Sequence, residues 1–530
     1  MRLTGGSNSL PRLPVLVMLA AAISSTALAS GCGSRTSLQL EEEQAEPPEQ
    51  CLFDEDCPVT DLCRPARCVS GLCETASAPI ACDDADPCTD DACNPSTGQC
   101  RFRPVTADQD GDGFNGPRAG YAPGAPEACG DDCDDASGAA FPGGVEACDG
   151  VDNDCNGVID DGARYHGVDE EAQRLSQPSD LRSGSAGLAS DGERWGVTLW
   201  GEAPPRQFRF LGISTAGEVE DEKLLTNHNG GSYGGPLVWT GAFYGIAWND
   251  NRQDENVEMY FNRIDRHGDK LGPDLRLTNT PEFSLSPSIY YDGNEFLVFW
   301  NDFQSEVPTL WGQRISLEGE PIGELTRVSP EGVWAESASL DFSTARVGAS
   351  VKSVDFTETS TLNFVNTDRE FTGERGFIQI DTDPDSHQTR FLGDRFVVVW
   401  SQLFQSPEGP TPGQYIYGAS FDEFGNPLSM KTALTPGGVY ARGVALLSLG
   451  DRALLFWSDD STGNFQIFVK TIDRELNELT PPERLTFGDG DSFAVAAAFG
   501  PDSQAGVVFD TFLNTGGVHA YMVHLSCDNQ

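Results

Sequence analysis

Apolar runs of five or six residues recur through the C-terminal part of the chain, and most end in a large aromatic residue. They read WGVTLW to Trp200, FYGIAW to Trp248, FLVFW to Trp300, FVVVW to Trp400, ALLFW to Trp457 and AGVVF to Phe509. A degenerate copy, ARVGAS, ends at Ser350. The intervals between these ends are 48, 52, 50, 50, 57 and 52 residues, a repeat with a period near 50. Runs this short, bounded by turn residues, predict buried strands and not helices. The polar punctuation repeats too. A short strand leads into a tight turn such as Asp191-Gly192 or Asp292-Gly293, and the apolar run follows. After a polar loop comes a third strand, as in 259–264 or 310–315, and a second Gly turn (His267-Gly268, Glu318-Gly319, Phe424-Gly425). A fourth strand ends in a motif such as RLTN (276–279) or ERLT (483–486). Four antiparallel strands, seven times over, predict a mainly β chain with a seven-bladed β-propeller over 163–530. A tandem of β-sandwiches does not fit, because each needs about 100 residues.

The ends of the array are informative. The seventh unit, 493–526, shows three strands and no fourth, while QRLSQ (173–177) stands unpartnered upstream of the first unit. That segment is expected to complete the last blade as the outer strand beside its third strand, around 519–525, which removes an open edge. The same closure would bring Cys527 close to the residues that precede the propeller.

Before about Ala163 the apolar period vanishes and acid and cysteine take over. The whole chain carries 82 Asp and Glu against 34 Lys and Arg, a net charge of −48. Between 32 and 164 stand 29 acids, 7 Arg and no Lys. Phosphate contacts need clustered Lys and Arg, so nucleic acid is excluded as a partner. Nine of the 15 cysteines lie between Cys51 and Cys100, four more are Cys129, Cys133, Cys148 and Cys155, and the last is Cys527. Such density among so few apolar residues calls for disulfides, and no C-x2-C pair suggests zinc. Nine is odd, so one cysteine of the first cluster pairs outside it, with Cys527 as a candidate. The expected organisation is a signal peptide at 1–31, a tether at 32–50, a disulfide-rich module at 51–104 and an acidic module at 105–162, followed by the propeller.

The acidic module carries the clearest chemistry. It contains DQDGDGF (108–114), GDDCDD (130–135) and CDGVDNDCNGVIDDG (148–162). Oxygen-bearing side chains at positions one, three and five, with Gly at six, are how a short loop wraps a hard cation. Asp108, Asp110, Asp112 and Gly113 fit that register, and so do Asp152, Asp154, Asn156 and Gly157, with Asp160 at position nine. Position twelve is Ala119 in one loop and Ala163 in the other, so the usual bidentate carboxylate is missing from both. The remaining ligands are expected from Asp131, Asp132, Asp134, Asp135, Glu146, Asp149 or Asp161. No His or Met occurs between 32 and 162, which points to calcium as the cofactor.

On GDDCDD, PGGVEACDG and DNDCNG, this module resembles the metal-binding repeat of bacterial surface proteins, a family that includes a copper-binding surface protein of methanotrophs. The resemblance implies a secreted metal-binding module without catalysis. The N-terminus reads as an export signal: Arg2 and Arg12 precede an apolar run at 15–23 and then Ala29-Ser30-Gly31-Cys32. Small residues before a cysteine resemble the lipobox of bacterial lipoproteins. That resemblance implies acylation of Cys32, attachment to a membrane and, with Gly33 following, an outer-membrane location.

No G-x-S-x-G, H-E-x-x-H or phosphate loop occurs, and neither do the S-x-D-x-G-x-T-W boxes of sialidase-like propellers. His519 and His524, five apart on a predicted strand, face opposite sides. The expectation is therefore a protein that is not an enzyme. Its propeller loops would bind a glycan, a peptide or an envelope partner, with a polysaccharide hydrolase as the alternative. Polar residues after the strand aromatics (Asn249-Asp250, Asn301-Asp302, Ser458-Asp459-Asp460, Asp510) fit either ligand contacts or turn chemistry.

Overall fold

The computed structural model describes residues 50–529 except 126, 149–150, 158–162, 168–171, 178–181, 202–206, 229, 253–255, 304–308, 330–333, 355–359, 370–375, 405–412, 437–438 and 502–503. The signal, Cys32 and all of the tether except Gln50 lie outside the described residues. So do Asp149, Asp160 and Asp161 of the acidic module. The chain divides into two units, one holding 91–102 with the residues up to Asp84, the other 85–90 with 103–530.

The first unit is built on sulfur in place of an apolar core. Cys51, Cys57 and Cys63 are buried, whereas Leu52 and Phe53 stand 86% and 70% exposed. Four disulfides hold it: Cys51–Cys68, Cys57–Cys73, Cys63–Cys93 and Cys82–Cys100. A hairpin of Ala66–Val69 with Leu72–Thr75 turns at Ser70-Gly71, both with positive φ.

In the second unit, seven antiparallel sheets follow one another: 183–224, 232–276, 284–327, 335–382, 384–433, 441–484 and 491–529. The chain is a seven-bladed β-propeller, as the repeat predicts. Trp248, Trp300, Trp400 and Trp457 are fully buried between blades, which is why the apolar runs end in them; Trp200 is half-buried. They are core and not a sugar-stacking platform.

The RLT motif has a repeated structural job. Its Leu packs into the blade, buried at Leu485 and partly buried at Leu277, and its N–H donates to the third strand, Leu277 to Met259 O (2.8 Å) and Leu485 to Ile467 O (2.7 Å). The next hydroxyl accepts from that strand, Thr278 Oγ1 from Met259 N (2.9 Å) and Thr486 Oγ1 from Ile467 N (2.9 Å). At 173–177 the same geometry recurs across the closure. Leu175 N donates to Ala520 O (2.9 Å), and Gln173–Arg174 pairs with Met522 and Tyr521. A second closing strand, Ala163–Gly167, pairs with 525–529 and was not foreseen.

The degenerate fourth blade is explained by its neighbour. Ser350, where other blades carry Trp, is fully buried and binds His387 Nδ1 through Oγ (2.7 Å). Ser337 Oγ meets Nε2 of the same ring (2.9 Å). Burial pushes His387 down to about 4, so the ring that meets these two hydroxyls is neutral.

The cysteine parity resolves differently from the expectation. Cys88, the odd member of the first cluster, pairs with Cys129. Cys527 pairs with Cys148 of the acidic module. Cys148 has an apolar neighbourhood that includes Tyr165 and Leu525, and Tyr165 donates its hydroxyl to Cys148 O (3.3 Å). The acidic loops are thereby tied to the blade that closes the propeller.

Candidate metal centre

The first centre is the loop opened by Asp108. Each carboxylate uses oxygen to fold the loop. Asp108 accepts from Gly111 N (2.6 Å) and Gly113 N (3.1 Å), Asp110 from Asp112 N (3.1 Å), and Asp112 from Phe114 N (2.8 Å). Gly113, at φ +104°, makes the turn that a Cβ would strain. This folding leaves oxygen over. Asp110 Oδ2, Asp112 Oδ2 and Asp132 Oδ2 are buried and lack a hydrogen-bond partner among the described residues. Oxygens of Asp108, Asp110 and Asp112 lie within 4.8 Å of one another. Burial pushes the Asp132 carboxyl up, and the nearby carboxylates of Asp112 and Asp110 add to it.

The second centre repeats the register. Asp152 accepts from Asn156 N (3.1 Å) and Gly157 N (2.7 Å), and Gly157 sits at φ +94°. Asp154 accepts from Asn156 N (3.0 Å) and Nδ2 (3.0 Å). Glu146, 3% exposed, supplies the third carboxylate and takes Asp154 N at 2.7 Å. Oxygens of Glu146, Asp152 and Asp154 also lie within 4.8 Å of one another.

The other candidates fall outside these clusters. Asp131 and Asp134 are exposed. Asp135 is spent on Gln109, whose backbone N–H lies at 2.9 Å, and that bond holds its carboxyl below the usual range. Asn153 has a structural role that the cation register does not signal: it takes Ala147 N (2.8 Å) and donates to Ala139 O (3.2 Å). The motif glycines are packing requirements. A Cβ on Gly130 would lie 2.2 Å from Asn115 O, and one on Gly144 would lie 2.2 Å from Asn153 O.

The donor set is made of oxygen. Cys133–Cys155, Cys88–Cys129 and Cys148–Cys527 are bonded, so no described thiol in the block can ligate. Ionised carboxylates within 4.8 Å of one another repel, the more so where they are partly withdrawn from water. No ion pair relieves Asp108, Asp110, Asp112 or Asp132 among the described residues. A hard divalent cation fits these residues: it offsets that repulsion and satisfies the leftover oxygens.

The polar residues after the strand aromatics mostly serve the fold. Asp250 and Asp459 accept the indole N–H of Trp248 and Trp457, both at 2.8 Å. Asp302 takes Ser284 Oγ (3.1 Å). Asp510, pushed up to about 6 by burial, takes Ser185 N (2.7 Å) and Oγ (2.8 Å). His519 meets Arg174 (2.9 Å), and His524 packs on Trp195 (4.7 Å), so both serve packing at the closure.

Comparison with known proteins agrees with this division. The family described as "Putative metal-binding motif" (Cu-binding MopE) matches residues 132–161, and a Dictyostelium (slime mold) repeat matches 81–105. No curated protein matches the chain. Among solved structures, it is similar to a prolyl endopeptidase at 13% identity and TM-score 0.40, covering 66% of this chain and 50% of that one. The chain thus spans half the length of that enzyme. It is similar to the β-propeller domain of the Trilobed protease from Pyrococcus furiosus (9%, TM-score 0.42, 64% and 95% covered). Trypanosoma rangeli sialidase is a third (8%, TM-score 0.38, 60% and 56% covered). The expectation that the chain is not an enzyme is corrected here, because these propellers belong to enzymes and the fold gives no ground for excluding catalysis. At such low identity they assign no reaction to this chain either.

Proposed function

We propose that this is an exported, lipid-anchored envelope protein whose acidic loops bind calcium and whose propeller presents a recognition face for a glycan, peptide or envelope partner. The observation that carries the calcium reading is the set of buried, unpartnered oxygens on Asp110, Asp112 and Asp132, in a block without His or Met. Asp108, Asp110, Asp112 and Asp132 would hold one ion, and Glu146, Asp152 and Asp154 another. Calcium supplies charge neutralisation there and no redox chemistry. Asp152→Ala and Asp112→Ala are each expected to weaken calcium binding roughly tenfold or more in titrations of the oxidised, full chain. Unchanged affinity in both variants would sink the assignment.

The anchor reading rests on Ala29-Ser30-Gly31-Cys32 after the apolar run, and the seven disulfides suit an oxidising compartment. Mass spectrometry of the mature protein is expected to find an acylated Cys32 at its N-terminus. An unmodified Cys32 contradicts the anchor.

The recognition-face reading is supported by the strand topology. First strands begin where second strands end, as the pairings Ser284–Asp302 and Ala441–Asp459 show. The ends of the second strands therefore lie beside the starts of the first strands, while most of the loops that follow the second strands, whose sequences vary in length from STG (461–463) to SPEGPTPG (406–413), lie outside the described residues. A rigid scaffold with variable loops on one side is suited to binding.

A further inference from the structure

On that face, three consecutive blades build a pocket of about 480 Å³. It is lined by Asp385 and Ser386 at the start of Pro384–Leu392, Arg442 at the start of Ala441–Leu449, Asp491 and Phe493 at the start of Asp491–Phe499, and Phe512 ending Ala505–Phe512. Arg442 is its unusual member. The guanidinium lies against two rings that pack on each other with centroids 5.2 Å apart, 4.4 Å from the Phe465 centroid and 4.6 Å from that of Phe493. Its Nε is buried and has no hydrogen-bond partner among the described residues. No carboxylate pairs with it among them either, in a chain with 82 acids and 34 bases. Arginines of the opposite face, such as Arg194 and Arg266, are by contrast engaged by acids.

The carboxylates on the pocket's rim are partly committed elsewhere. Asp385 Oδ2 takes Gln414 Nε2 (3.1 Å), and Asp491 Oδ1 takes Phe465 N (3.0 Å), which leaves the second oxygen of each able to accept. Phe512 stands 44% exposed at the mouth, edge-on to Phe493 at 5.6 Å. A planar cation held by aromatic rings, beside an open ring and two acceptors, matches a small carboxylate on a ring-shaped body. We propose that this pocket binds such a ligand. The carboxylate pairs with Arg442, the ring's apolar face lies on Phe512 and Phe493, and any hydroxyls donate to Asp385 and Asp491. Sugar acids and aromatic acids share this chemistry. The inference rests on the loop face being the recognition face, but not on calcium.

The test is calorimetric titration of the full chain with glucuronate and with phenylacetate, against methyl glucoside and 2-phenylethanol as neutral counterparts. One or both acids should bind saturably, and which one does identifies the source of the carboxylate. Neither neutral compound should bind. Arg442→Gln should lower affinity roughly tenfold or more without changing the melting temperature, and Arg442→Lys should keep part of it. Should Arg442→Gln not fold, Phe512→Ala on the exposed rim should still weaken binding severalfold. Equal binding of acid and neutral compounds, undiminished binding in Arg442→Gln, or no saturable binding of either acid overturns the proposal. A glycan array separates the two readings: saccharide binding that persists undiminished in Arg442→Gln refutes the pocket and leaves the recognition face standing.

Discussion

Leu175→Ala is expected to lower the unfolding free energy by about 2 to 5 kcal/mol, measured by chemical denaturation with the disulfides intact. Leu175 is 5% exposed and packs with Leu188, Trp195, Val508, Ala520 and Met522, residues of the first and last blades. Burying such a side chain is worth about 2 kcal/mol, and the cavity left behind adds to the loss. The size of the effect reflects position as well as area, since this leucine belongs to the closing strand. Removing everything before Ser179 should go further: it deletes both closing strands, exposes the edge of Val518–Asn529 and should cause aggregation. A stable monomer from that truncation would contradict the closure.

The second large effect is expected at Cys148–Cys527. Replacing both cysteines by serine should cost about 2 to 5 kcal/mol, because the bond spans 379 residues and restricts the unfolded chain strongly. The same change should loosen the nearby Glu146, so calcium affinity should fall along with stability. Denaturation and calcium titration of the double variant check the two effects separately. A double variant as stable as the parent would show that the pairing of 525–529 with Ala163–Gly167 is enough to hold the closure.

How much of this was legible in the sequence follows from how strongly each feature repeats. The blades were readable because a buried tryptophan needs a long apolar strand before it, and five tryptophans stand at matching positions. The fourth blade was readable only as a defect. Its compensation by His387 depends on a neighbouring blade, which local pattern does not encode. The RLT motif gave the closure, since its leucine N–H bonds the third strand at Leu175 as it does at Leu277 and Leu485, although the Ser176 hydroxyl turns instead to Arg174 and His519. Ala163–Gly167 was missed because Tyr165 is its one buried large residue, too little for a period.

In the acidic module, positions one and three of both loops were legible because the backbone turn dictates them. Glu146 was harder to single out, as it comes from outside its loop and is brought in by the approach of Gly144 to Asn153. Of the disulfides, only the approach of Cys527 to the residues before the propeller was legible, through the closure; the individual partners were not, for cysteine spacing carries no orientation. Arg442 gave no signal, because what sets it apart is the absence of a partner in space.

The central claim, that the Asp-rich loops are calcium centres, is tested most directly by calorimetric titration of the full, oxidised, chelator-treated chain with calcium and, separately, with copper. The account predicts saturable calcium binding that is weakened by Asp152→Ala, with copper no tighter. Tight copper binding by a chain that ignores calcium would contradict it.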